Sequence, residues 1–428
     1  MRRWFVTAIA VVMVVLPVGQ SPAIADESVP GTSQPENPWS HVRAWETAIV
    51  NRVVDGDTVI VNDEVTGVES RVRLLGINSP EKPTKKKPGN CGGWQAQEWL
   101  TALLPVGTRV RLLATDQTST GKNKRPQRVV LAYNDKTGEF DQDAAWAMAE
   151  RGWGLWFTVP SESSMSSLYR AAIEGAKRRG VGMWNPALCG SVEQPTANLS
   201  LRISRGGGAV ADETVTVRNV GANSVDISGW MLRDAGNAGW YTFPGGSVLS
   251  PGDYRVVHTG TGRDGRPNGQ DLYRDRGKRM YPDPGTEPNL VGDGAYLLDR
   301  AGNFRFWREY PCTSACSGDE GAGALVIEDL SLGEGKGRKR ARSQFVRIGN
   351  QGTSTVCLDG YRLQSEGITY WFPSGTCLAA GATWTLHGGK RKSWSQVTYL
   401  KRKTPMFYLT GSAKLVTDRE QVLAERFW

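Results

Sequence analysis

The second half of the chain repeats itself. Phe243-Pro244-Gly245-Gly246, followed by Leu249, Gly252 and Val257-His258, returns as Phe372-Pro373-Ser374-Gly375, Leu378, Gly381 and Leu386-His387, each 129 residues later. Upstream, Gly221, Gly229 and Leu232 match Gly352, Gly360 and Leu363 at an offset of 131. Two copies of one unit that differ by a small loop produce such a drift. Apolar stretches in both copies are short and are broken by Gly, Pro, Asn and Asp, with almost no helical period. Each copy therefore reads as an all-β unit, and a sandwich is the expected architecture. The boundaries fall at residues 198–312 and 323–428, behind a linker-like stretch, GSVEQPTAN, at residues 190–198.

Residues 46–190 have a different texture. ETAIVNRVVDGDTVIVND reads as two strands around an Asp-Gly turn, and SRVRLLGI, TRVRLLATD and RVVLAYND as three more. CGGWQAQEWLTALL, AAWAMAERGWG and SSLYRAAIEGAKRRG carry helical spacing. Five strands with about three helices suit a small closed barrel of the OB type with helices packed outside. The whole chain is thus expected to be an α+β multidomain protein: an OB-type β-barrel with helices, then two immunoglobulin-like β-sandwiches.

The N-terminus predicts export. Arg2 and Arg3 precede an apolar run over residues 4–18, and Ala23-Ile24-Ala25 forms an A-x-A cleavage site. Residues 1–25 read as a signal peptide and 26–45 as a flexible leader. The run is short of the ~20 residues of a membrane span, so a secreted, extracellular protein without a stable membrane anchor is expected. All six Cys lie beyond the cleavage site, and an even number in an oxidising compartment reads as disulfides. Their grouping within the proposed domains predicts Cys91–Cys189, Cys312–Cys316 and Cys357–Cys377.

Only three His are present, His41, His258 and His387, and they lack metal-ligand spacing. A multi-His zinc site is therefore not expected. His258 and His387 occupy equivalent repeat positions and read as structural. The chemistry concentrates instead in Asp55-Gly56-Asp57-Thr58 and Arg73-Leu74-Leu75-Gly76-Ile77-Asn78-Ser79-Pro80-Glu81. Hard oxygen donors without His or Cys suit Ca²⁺ or Mg²⁺. A guanidinium beside carboxylates and such a cation is what phosphodiester hydrolysis needs, because arginine and cation neutralise the charge gathering on phosphate.

At these residues the chain resembles the staphylococcal nuclease (thermonuclease) family. DGDT, RLLGINSPE, the helix start Gly93-Trp-Gln95-Ala96, the strand with Ala132-Tyr133 and the closing Gly182-Met-Trp184 occur in family order over about residues 46–190. The resemblance implies a nuclease that cleaves DNA or RNA endonucleolytically with Ca²⁺ as cofactor. It implies Asp57, Asn78 and the Ser79 backbone carbonyl as metal ligands, with Asp55 behind them. Arg73 and Arg128 become the phosphate-binding arginines and Glu81 the general base. Asn78 stands where the family usually has Asp. The segment before Arg128, GKNKRPQ, departs from the family pattern and leaves Arg125 as an alternative. Lys85, Lys86, Lys87, Lys122, Lys124 and Arg125 are candidate substrate-binding residues.

The repeated unit resembles the lamin-tail domain, through VTVRNVGANSVDISGWMLRDAG, YTFPGG and GDGAYLLDRAG in the first copy and VRIGNQG, LDGYRL and WFPSGTCLAAGATWTL in the second. That resemblance implies a binding module rather than an enzyme. Charge separates the copies. Residues 323–428 hold 16 basic and 8 acidic side chains, whereas residues 191–322 hold 14 and 16. The excess lies in residues 336–342, 390–392 and 401–403, which points to a polyanion, either nucleic acid or an anionic cell-envelope polymer. The expected function is a secreted calcium-dependent nuclease with accessory binding modules. The alternative is a catalytically degenerate protein that binds nucleic acid or the envelope.

Overall fold

The computed structural model describes residues 44–428 apart from 86–88, 117, 122–123, 191–192, 207, 238, 266–268, 282–291, 312–323 and 395. The signal peptide, the leader up to residue 43, the Cys312–Cys316 pair and Lys86, Lys87 and Lys122 lie outside the described residues; Ala44 and Trp45, expected in the leader, open the first strand. Among the described residues no helix is long and apolar enough to cross a membrane.

The first domain holds strands β1 (Ala44–Asp55), β2 (Thr58–Asp63), β3 (Glu69–Leu74), β4 (Ile77–Asn78), β5 (Arg109–Ala114), β6 (Gln127–Asn134), β7 (Glu139–Asp143) and β8 (Leu155–Trp156). Its helices are α1 (Gly93–Leu103), α2 (Ala144–Glu150), α3 (Ser166–Arg179) and the short α4 (Pro186–Cys189). β3, β2, β1, β5 and β6 pair in that order, and a parallel β3–β6 contact closes them into a five-stranded barrel. β1 can serve two neighbours because it shifts register at Val50/Arg52 and Val53/Asp55, and such bulges bend a strand. Alternating residues fill the interior: Val50, Val59, Val61, Val72, Val110, Leu112 and Val130 are buried. The three long helices fall where helical spacing predicts them. β7 escapes the sequence pattern because EFDQD has no apolar alternation; it is an edge strand paired only with β6.

The second domain comprises β9 (Leu199–Ser204), β10 (Thr214–Asn219), β11 (Val225–Asp226), β12 (Met231–Asp234), β13 (Trp240–Thr242), β14 (Val248–Leu249), β15 (Tyr254–His258), β16 (Asp271–Tyr273), β17 (Asp293–Leu298) and β18 (Phe304–Tyr310). The third comprises β19 (Leu325–Ser331), α5 (Gly337–Ser343), β20 (Phe345–Asn350), β21 (Val356–Cys357), β22 (Arg362–Ser365), β23 (Ile368–Trp371), β24 (Cys377–Leu378), β25 (Thr383–His387), β26 (Val397–Tyr399), β27 (Ser412–Val416) and β28 (Val422–Phe427). Sheets β16-β15-β10-β9 and β13-β12-β17-β18 in one unit correspond to β19-β20-β25-β26 and β23-β22-β27-β28 in the other, so the sequence repeat is a structural repeat. His258 stacks on Tyr273 and His387 on Tyr399, with ring centroids 4.5 and 4.7 Å apart.

The two-residue drift has a definite place. Arg233 pairs with Trp240 across β12 and β13, and the counterpart Gln364 pairs with Thr369. Residues 234–239 lie inside the first hairpin but only 365–368 inside the second. A second departure is α5, a basic helix in a unit expected to be all β. Its Arg, Lys and Ala are good helix formers, which is what the strand-centred reading overlooked.

The outer face of β12–β17–β18 carries Tyr296, Leu298, Phe304 and Trp307. A free sandwich would show polar residues there. Here they join the barrel's own apolar core, beside Ile173, Met183 and Trp184. Trp184 and Trp307 lie 4.6 Å apart, and Lys177 of α3 ion-pairs with buried Glu309 of β18. The two sandwiches meet through a buried Arg308–Asp418 pair, Arg218–Asp359 at 3.3 Å and a Thr216–Ser374 hydrogen bond of 2.9 Å. Cys91–Cys189 and Cys357–Cys377 form as expected from their grouping.

Candidate active site

Asp55 ends β1 and Thr58 begins β2, so the turn between them presents Asp57 at the barrel's rim. Gly56 is required in that turn because a Cβ there would stand 2.7 Å from Ala96 of α1 and 2.8 Å from the Ser79 Cβ. The Asp57 carboxylate accepts hydrogen bonds from the Ser79 N–H at 2.7 Å and the Thr58 hydroxyl at 2.9 Å, and it ion-pairs with Arg73. Arg73 sits on β3 opposite Thr58 and beside Gln127 of β6. Its guanidinium also donates to the carbonyls of Asp57 (3.2 Å) and Ile77 (3.0 Å) and to Asn78 Oδ1 (2.5 Å). Burial works to raise the Asp57 carboxyl, but Arg73 and the Ser79 N–H outweigh it and hold it below the usual carboxylate range. Asp55 has less compensation. Burial and the neighbouring Asp57 carboxylate push it up to about 7.

These groups open on a cleft of about 1010 Å³ whose far wall belongs to the first sandwich. Asp55, Asp57, Arg73, Asn78, Glu81 and Arg125 all line it. Glu81 is exposed, on a loop that the other domain pins. Asn90 Oδ1 accepts from the Glu81 N–H at 3.1 Å and from Arg233 Nη1 at 2.7 Å, and Asn237 Nδ2 stands 3.5 Å from Glu81 Oε1. Arg233 is fully buried, and burial depresses its pKa.

The sequence-derived set is brought together except at its edges. Arg128 does not line the cleft. It is buried, donating to the carbonyls of Ser119 (3.0 Å) and Gln127 (2.9 Å), with Glu46 3.8 Å away. Register is the reason. Gln127 pairs with Arg73 and shares its face, so Arg128, beside Leu74, turns to the other. Arg125 reaches the cleft from a tight loop closed by the Gly121 N–H on the Arg125 carbonyl at 2.8 Å. Ser79 sits behind Asp57 rather than on the cleft surface. Lys85 and Lys124 are exposed but are not lining residues.

Asn78 explains its own departure from Asp. Its Oδ1 accepts from Arg73 and its Nδ2 donates to the Ala235 carbonyl of the first sandwich at 2.6 Å. Arginine only donates and a carbonyl only accepts, so the amide orientation is forced, and a carboxylate could not make the second bond. Cleft residues that sequence reasoning missed include Arg71, Lys82, Trp240 and Arg300. The two-residue period Arg71-Val72-Arg73 puts Arg71 on the Arg73 face and offered a signal for it; Trp240 and Arg300 offered none, because they arrive from another domain.

For a cation, Asp55, Asp57 and Asn78 Oδ1 supply oxygen donors on one wall, where Arg73 ion-pairs with Asp57 and leaves Asp55 without an ion pair of its own among the described residues. That set fits a hard divalent ion. Among the described residues Cys357, Cys377 and Asp359 also cluster, but the cysteines are bonded to each other and Asp359 pairs with Arg218.

A second charged surface lies at one end of the last domain. Lys336, Arg338, Lys339 and Arg342 are exposed on or beside α5. The Gly388 N–H bonds the Gln344 carbonyl just past α5 at 3.0 Å, and the N–H groups of Lys401 and Arg402 bond the carbonyls of Gly389 and Gly388 at 2.9 Å. The three basic runs therefore converge, with Lys390, Arg391 and Lys392 on the loop between them.

Two all-β units of one topology, the first of them docked on a closed barrel, define a lamin-tail protein with an added barrel domain. The family model of the Lamin Tail Domain matches residues 194–311 and 319–422, over half of the sequence, and the chain belongs to that family. It is also similar to the probable endonuclease LCL3 of Uncinocarpus reesii (strain UAMH 1704), at 30% identity over 118 residues. The match covers 26% of this chain and 37% of that relative, so the chain spans well under half of the relative's length.

Proposed function

We propose that this chain is a secreted, calcium-dependent nuclease of the staphylococcal type, hydrolysing phosphodiester bonds in DNA or RNA. The observation that carries the reading is the constellation on one cleft: two carboxylates and an amide oxygen, the Arg73 and Arg125 guanidinia, and the exposed Glu81 carboxylate. The barrel supports it, because the strand order β1-β2-β3-β6-β5 with parallel closure is that of an OB-type barrel. So does the likeness to a probable endonuclease.

In this mechanism Glu81 accepts a proton from the attacking water. Arg73 and Arg125 present planar forks to two phosphate oxygens and offset charge as the pentacoordinate state forms. Arg125 takes the part that the sequence pattern assigned to Arg128. Asp57, Asp55 and Asn78 Oδ1 would hold calcium, which when bound polarises a phosphate oxygen. The convergent basic end of the second sandwich is proposed to hold the rest of a long nucleic acid.

Nicking of supercoiled plasmid by the chain starting near Asp26, with Ca²⁺ and with chelator, tests the reading. Calcium-dependent nicking is expected. A specific observation favours the rival, a binder without catalysis: Asn78 gives its amide to the neighbouring domain and removes one negative charge from the metal site. Tight DNA binding with no nicking at any calcium concentration selects that rival.

A further inference from the structure

The wall that faces the candidate catalytic groups comes from the first sandwich, and it has features that its twin lacks. The β12–β13 hairpin is two residues longer than the equivalent hairpin of the second sandwich. That extra length reaches the barrel: Ala235 accepts from Asn78, Asn237 meets Glu81, and Gly236 lies so close to Phe157 that a Cβ would stand 2.7 Å from its ring. Immediately after it, Trp240 is 44% exposed and lines the cleft, with Met231 and Thr242 further along the same sheet face. The counterpart of Trp240 in the second sandwich is Thr369.

We propose that Trp240, supplied by the first sandwich, is a base-stacking platform for the strand held in the cleft; this rests on the nuclease reading above. Asp57 and Arg73 are nearly buried on the cleft floor, at 6% and 9% exposure. A phosphate must descend between two walls to reach them. The volume, about 1010 Å³, is at the upper end for a small-ligand pocket and admits a few nucleotides. In a single strand the base beside the scissile phosphate is free to turn away from the arginines, and the cleft wall contributed by the first sandwich offers it an indole. Every base has a π-face, so the platform binds without sequence preference.

The experiment compares the full chain with Trp240→Ala and Trp240→Phe on three substrates: a labelled single-stranded 12-mer, the same sequence as duplex, and a 12-mer of abasic tetrahydrofuran units, which has phosphodiesters but no base and no aromatic ring. In the wild type, single strands are cleaved faster than duplex. In Trp240→Ala the ratio of kcat/KM for the single strand to that for the abasic 12-mer falls about 5- to 150-fold, and Trp240→Phe retains most of it. An unchanged ratio in Trp240→Ala, or a wild type that prefers duplex, overturns the proposal. If the wild type cleaves nothing with calcium, the nuclease reading fails, and anisotropy of the labelled 12-mer decides the platform separately. Weaker binding by Trp240→Ala sustains it, and equal affinity rejects it.

Discussion

At the scale of single residues, Glu81 and the two candidate arginines make separable predictions. Glu81 is exposed and its carboxylate makes one long contact, to Asn237, besides favouring the charge of buried Arg233, so Glu81→Gln keeps the fold while turnover falls about 10²–10⁴-fold. Oligonucleotide cleavage measured beside thermal melting checks this, and unchanged turnover removes Glu81 from the mechanism. Arg125→Ala lowers kcat by about 10²–10³, the worth of one well-aimed donor, with little change in melting. Arg128→Ala does the reverse. It takes the guanidinium donor from the Gln127 carbonyl and leaves the Ser119 carbonyl with only the Gln127 N–H at 3.1 Å, costs about 1–3 kcal/mol of stability, and spares kcat. An Arg128→Ala protein that melts normally but is inactive would reinstate Arg128. Asp57, Arg73, Asn78 and Glu81 were legible in the sequence because strand and turn place them locally. The choice between Arg125 and Arg128 was not, since a one-residue change in β6 register moves a side chain to the opposite face. Nor does sequence say that Asn78 serves a carbonyl 157 residues away.

Secondary-structure elements were legible where periodicity was strong. α1, α2, α3 and the repeat of the sandwich strands followed from apolar spacing, and the two-residue drift pointed to a small loop difference, which lies in the β12–β13 hairpin. What spacing could not convey is how elements meet. One such meeting carries a pH dependence. Lys177 of α3 faces both Glu174 and Glu309, and one ammonium cannot neutralise two carboxylates. Glu309, the more deeply buried, is pushed by burial up to about 8, while Glu174, despite its own burial, is held by Lys177 down to about 2. A carboxyl raised on folding stabilises while protonated. The Glu309 contribution is therefore complete below its ordinary 4.5 and is lost as pH rises through about 8. Asp143, raised to about 7 by burial at the α2 N-cap, acts in the same direction. Melting temperature is expected to fall between about pH 5 and 8.5, and Glu309→Gln should remove part of that fall. A variant with the same pH slope as wild type refutes the assignment to Glu309.

Across the whole molecule the three domains form a continuous body, barrel to first sandwich to second. Arg308 and Asp418 are both buried where the sandwiches meet, so truncating the second sandwich would remove Arg308's partner and uncover the face of the first sandwich that it closes. The basic end is better tested by charge than by deletion. Reversing Lys390, Arg391 and Lys392 to Glu should weaken binding to long DNA and flatten its dependence on salt, by about 0.9 in log–log slope for each phosphate that is no longer neutralised. Equal binding across about 50–200 mM salt would leave that surface to another polyanion, such as an envelope polymer. The disulfide between Cys91 and Cys189, 98 residues apart in sequence, bears on survival rather than on chemistry. It makes most of the first domain a covalent ring. An external protease that cuts once in an exposed turn there, such as the one between β6 and β7, produces two chain ends but no second molecule. The severed pieces stay at high effective concentration and re-pair their strands, so losing the domain takes a second cut or a reductant.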